Sequence, residues 1–178
     1  MTDIIHGVAH HTVTWEQLPD LPLYMDQVIT YLERQLAPYQ VLQPERLITP
    51  AMINNYVKSG LIPRPERKKY TRIHLALLLM VCILKQILPI QQMGVLLRAC
   101  TPDLLPLRFN AFGLLQNRAL SDISTLLTEE TAALQDADSR LEMTFQLLLR
   151  ANAYRMAGQQ LLQTDQPVME SCEATPVH

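Results

Sequence analysis

Lys58, Arg64, Arg67, Lys68, Lys69 and Arg72 crowd into fifteen residues that hold a single carboxylate, Glu66. Cations at that density pair with phosphate oxygens or with another polyanion, and a formal net charge of −2 for the whole chain leaves the remainder acidic. Charge alone also admits a blander reading, a solvated basic loop. The residues just before the cluster sharpen the choice. Sorted at about 100° per residue, Met52, Ile53, Tyr56 and Val57 fall in one arc and Ala51, Asn54, Asn55 and Lys58 in the opposite one. A merely solvated helix face would space Glu and Lys as ion pairs. This one offers a small residue, two amides and a cation. An Asn amide can pair bidentately with adenine, and an Ala lets the backbone come close to a base edge.

Catalytic and metal chemistry find little support. His6, His10 and His11 cluster without thiolate or acidic partners, so a solvated segment outweighs a metal site. No serine stands in a nucleophile-elbow context, and Glu129 and Glu130, being adjacent, point to different sides of a helix. None of the five glycines builds a phosphate-cradling loop, so no cofactor is expected. Cys82, Cys100 and Cys172 form no Cys-x-x-Cys pair, which argues against a disulfide framework and a thiolate zinc site. His74, one turn into a helix beside the cations, reads as a capping or packing residue. The expectation is a protein that is not an enzyme, in the cytoplasm, with no signal peptide.

The elements that must hold the cations are mostly helical. Leu23, Val28, Ile29, Leu32 and Leu36 mark an amphipathic helix after Pro19 and Pro22, and Pro38 and Pro44 bracket a connector. Thr49 suits an N-cap, Pro50 the first helical position and Gly60 the C-terminal stop of a short helix. Pro63 and Pro65 preclude helix, so the basic segment ending at Tyr70 fits a small β-wing. Thr71 then opens a helix running to about Leu88 through "LALLLMVCIL", an apolar run of ten residues. That is short of the roughly 20 a membrane span needs. A further helix follows Pro89. "TPDLLPLRF" offers another helix start, with Pro106 leaving its continuation open. From Asn110 to Gln163 the pattern is helical, with a break near "QDADS". Leu120, Leu127, Leu134, Leu141 and Leu148 recur every seven residues. The companion positions Ile123, Glu130, Ala137 and Thr144 make a poor second seam, so an intrachain bundle and a coiled coil between subunits both stay open.

Residues 48–97 resemble the DNA-binding domain of MerR-type regulators. Tyr56, the "GLI" at 60–62, "RPERKKYT" at 64–71 and "PIQQM" at 89–93 match that family's recognition-helix end, turn, basic wing and closing helix. Where those regulators carry Arg-Tyr-Tyr-Glu, this chain has Asn54-Asn55-Tyr56-Val57. Around "LPDLPLYMDQV" and "MINNYVKSGLIP" the chain also resembles the bacterial domain-of-unknown-function family 1836, over residues 15–100.

The resemblance and the residue chemistry together imply a mainly α protein. A flexible N-terminus (1–14) precedes a MerR-like winged helix-turn-helix with a small β-wing (15–100), a helical dimerisation or sensing region (101–163) and a disordered tail (164–178). The expected function is DNA-binding transcription regulation through a recognition helix (50–59) and a basic wing (61–70). Ala51, Asn54, Asn55 and Lys58 would enter the major groove. Thr49, Arg64, Arg67, Lys68 and Lys69 would hold phosphates, Arg72 and Tyr70 would anchor the wing, and the Tyr56 hydroxyl would reach a phosphate. The expected partners are double-stranded DNA and a second copy of the chain. A small-molecule effector of unstated identity is compatible with this, and no membrane is expected. The alternative is a non-enzymatic interaction module that oligomerises through its heptads around a degenerate helix-turn-helix.

Overall fold

The computed structural model describes residues 12–40, 47–129 and 136–164. Residues 1–11 and 165–178, with the N-terminal histidines, Cys172 and most of the expected tail, lie outside them, as do Pro44 and Leu134. A 3-10 turn, Trp15–Gln17, leads to six α-helices among the described residues: α1 Met25–Gln40, α2 Pro50–Lys58, α3 Arg72–Leu84, α4 Ile90–Arg98, α5 Leu105–Glu129 and α6 Ala137–Thr164. The protein is mainly helical. None of the described helices is long and apolar enough to cross a membrane.

The core forms around α3, whose residues from His74 to Cys82 are all buried. The eight residues from Leu75 to Cys82, buried on every side, are apolar on every side, which explains why they show a run and no periodicity. α1 lays Val28, Ile29, Leu32 and Leu36 against it, and α4 and α5 close the other sides. Leu105 and Phe109 of α5 are fully buried in this same core. The N-terminal segment is tied to α5 as well: the Trp15 N–H donates to Asn110 Oδ1 at 2.7 Å and the Thr12 N–H to Asn117 Oδ1 at 2.9 Å.

Several helix ends depart from the sequence expectation. α1 continues through Pro38 to Gln40 instead of yielding to a connector at that proline. α3 stops at Leu84 rather than Leu88. Residues before a proline are pushed out of helical geometry, and with Pro89 next the Ile87 and Leu88 N–H groups both converge on the Leu84 carbonyl. Pro106 does not interrupt α5, because it sits in the first turn, where a missing N–H costs no bond. α6 starts within "QDADS", where Asp136 accepts from the Ser139 N–H at 2.8 Å and from its hydroxyl at 2.6 Å. The largest departure is at the expected β-wing. No strand forms among the described residues, and isolated antiparallel bridges, Leu23 with Tyr70 and Glu66 with Lys69, stand in its place.

α6 packs on α4 but keeps much of its surface outside. Leu141, Phe145, Leu148 and Leu149 are exposed, as are Leu107, Leu114 and Leu115 of α5.

Candidate nucleic-acid interface

α2 is built by its ends. The Met52 N–H donates to Thr49 Oγ1 at 3.2 Å, with Pro50 next in the first turn. At the far end Gly60 takes φ +74°, the Leu61 N–H reaches back to the Tyr56 carbonyl at 2.9 Å and the Gly60 N–H to Val57 at 3.2 Å. That pair of bonds is a Schellman closure, and its left-handed residue favours glycine. Between the caps, Ile53 and Tyr56 are buried while Ala51, Asn54, Asn55 and Lys58 are exposed. Burial of one arc therefore fixes the other outward. Lys58 lies in the last turn, where a cation also meets the negative end of the helix dipole.

The basic segment follows at once. Pro63 and Pro65 hold it extended to Glu66, and the chain then reverses over Arg67 and Lys68, with the Lys69 N–H donating to the Glu66 carbonyl at 2.8 Å. Both tip residues have positive φ, +48° for Arg67 and +64° for Lys68. Two-residue reversals of this hand ordinarily take Asn-Gly, because a side chain there costs about 1–2 kcal/mol per residue. Here two long cations occupy the tip instead. Arg64, Arg67, Lys68 and Lys69 are all exposed. The Lys69 ammonium lies 5.5 Å from the centre of the Tyr24 ring.

Other expected contact residues lie elsewhere. Tyr56 and Tyr70, 5% and 3% exposed, belong to the core, and burial pushes both phenols up. Arg72 is half-buried. Its guanidinium sits 5.7 Å from the centre of the Trp15 ring, and its Nε is buried without a hydrogen-bond partner. Thr49 uses its oxygen as the helix cap. The expected contact residues that lie on the surface are thus Ala51, Asn54, Asn55 and Lys58 on α2 and the four cations from Arg64 to Lys69.

His74 pins the base of the turn. Its Nδ1 accepts from the Thr71 N–H at 3.0 Å, so the neutral ring carries its proton on Nε2, which is buried against the Pro63 and Arg64 backbone. The ring meets Tyr70 edge-on at 5.5 Å. Burial lowers the histidine, opposed by that backbone and by the charge of Glu66. The sequence marks His74 as a residue that caps or packs, and here it does both. The pairing of Leu23 with Tyr70 has no local signature that a sequence reading could use.

Among the described residues no group of three or more His, Cys, Asp or Glu side chains is placed to hold a metal ion. Burial drives the Cys82 thiol up to about 12, which removes its nucleophilic form. A family described as "Domain of unknown function (DUF1836)" matches residues 13–105. No curated protein and no solved structure matches the chain.

Proposed function

The chain belongs to the family described as a domain of unknown function, DUF1836, and from that premise we propose that it is a DNA-binding transcription regulator with a MerR-like winged helix-turn-helix. α2 is the recognition helix, the turn around Arg67 and Lys68 is the wing, and the domain spans residues 15–100. One observation carries the reading. A helix face without carboxylates is followed, after residues 59–66, by a reversal that holds two cations in a conformation their side chains disfavour. Strain kept at a surface position points to use of that position. Phosphates reward the cations, and the Asn54 and Asn55 amides supply base-edge contacts.

The region 101–163 pairs two copies. Leu107, Leu114 and Leu115 on α5 and Phe145, Leu148 and Leu149 on α6 are exposed, apolar surface that a second copy would bury. Two-fold pairing would require a palindromic site. The same exposed leucines favour a second reading, an oligomerising interaction module that does not touch DNA.

Anisotropy titration of random-sequence duplex at low salt separates the two. Saturable binding that weakens as salt rises is expected, and its absence leaves the interaction module. Selection of bound sequences from a random pool then tests specificity and symmetry together.

A further inference from the structure

A crevice of about 630 Å³ opens between the turn after α2 and one face of α4. That volume lies within the range of about 300–1,000 Å³ usual for small-molecule sites. Leu61, Leu77 and Leu97 form its apolar wall, with Ile90 at the rim. Arg98 is the charged residue among the described lining, which includes no carboxylate. On α4, Ile90, Gln91, Gly94, Leu97 and Arg98 are spaced to present a single helical face to the crevice.

Gly94 is the informative residue. It stands inside a nine-residue helix, where glycine is a poorer choice than alanine. Packing does not demand it: an added Cβ would meet only Arg98 Nη1 at 3.8 Å and Leu61 Cδ1 at 4.0 Å, both ordinary contacts. What the missing side chain does is keep the floor of the crevice open. The Arg98 guanidinium returns to this point, its Nη1 3.8 Å from where a Cβ on Gly94 would stand.

We propose that this crevice binds a small monoanion with an apolar body, its carboxylate on the Arg98 guanidinium and its hydrocarbon part against Leu61, Leu77 and Leu97 over Gly94. An apolar wall with one cation and no competing acid selects for that amphiphile over a dianion or a neutral hydrocarbon. The site belongs to α3, α4 and the 59–63 turn, and it stands whether or not α2 reads DNA.

The test is calorimetric titration of the full chain, in the absence of DNA, with naphthalene carboxylate and with its neutral carboxamide. Single-site saturable binding of the acid is expected, with the amide weaker by about two- to fivefold, the worth of pairing with an exposed cation. Arg98→Gln should erase that difference, and Gly94→Leu should abolish binding of both compounds while the melting temperature is kept. Absence of binding, equal binding of acid and amide, or binding that survives Gly94→Leu would overturn the proposal. Should Gly94→Leu fail to fold, the Arg98→Gln comparison decides by itself.

Discussion

Leu23 and Tyr70 exchange both backbone hydrogen bonds, each N–H donating to the other's carbonyl at 2.8 Å. This pair fastens the base of the cationic turn to the segment entering α1, forty-seven residues earlier in the chain. The turn is thus rooted at Tyr70, and only its tip is free. Leu23→Pro removes one of the two donors and should cost about 1 kcal/mol. Urea unfolding reads the destabilisation, and faster amide exchange at Tyr70 locates it. Unchanged exchange there would mean that Tyr70 is held by its side chain alone.

The tip should show opposed effects of one substitution. Lys68→Gly relieves a left-handed side chain and should raise stability by up to about 1 kcal/mol. Duplex affinity should fall at the same time, because a phosphate partner is gone. For Lys68→Ala with Lys69→Ala, the slope of log affinity against log salt should flatten by about 0.9 for each phosphate left unpaired. An unchanged slope would remove the wing from the interface.

Asn54 and Asn55 predict the complementary result. Replacing both with alanine leaves the exposed face helical, so stability should move by less than about 0.5 kcal/mol. Discrimination between selected and random duplex should drop by about 1–3 kcal/mol for each base edge no longer read, with the salt slope unaltered. Competition anisotropy measures both quantities.

His74 gives the chain a signed dependence on pH. Burial lowers it below its ordinary value of 6.5, so the unfolded chain takes up a proton that the folded chain resists. Its contribution to stability is complete above 6.5 and is lost as pH falls from there through the lowered folded value. His74→Gln keeps a Thr-x-x-Gln capping box on Thr71 without a titrating ring. Denaturant midpoints of this variant should vary less with pH across that window than those of the parent. Equal slopes would assign the dependence to other groups.

How much of this could be read from residues alone varied with the range of the interaction. α2 was the most legible element, because Thr49, Pro50 and Gly60 act within one helical turn and the two arcs of side chains sort by period. The direction of Asn54, Asn55 and Lys58 follows from the same local rule. The small β-wing expected from the sequence does not form as strands among the described residues. Pro63 and Pro65 shorten the reversal until only isolated bridges remain, and one of these needs Leu23, far away in sequence. α6 resisted for a different reason. Leu141, Phe145, Leu148, Leu149 and Met156 share one helical face, the spacing of a core-facing stripe, yet all five are exposed, so the period did not mark an inner face. The crevice beside α4 did leave a trace, a glycine in the middle of a helical pattern, which acquires meaning only once Leu61 and Arg98 are seen around it.

α5 has 25 residues, about 37 Å of rod at 1.5 Å per residue. Leu105 and Phe109 clamp its first turns inside the core, whereas Leu114, Leu115 and Ile123 further along face outward. A stiff beam held over one part of its length is a lever. A small tilt imposed beyond the stretch held from Leu105 to Asn117 would swing about that stretch, against the helix that carries His74.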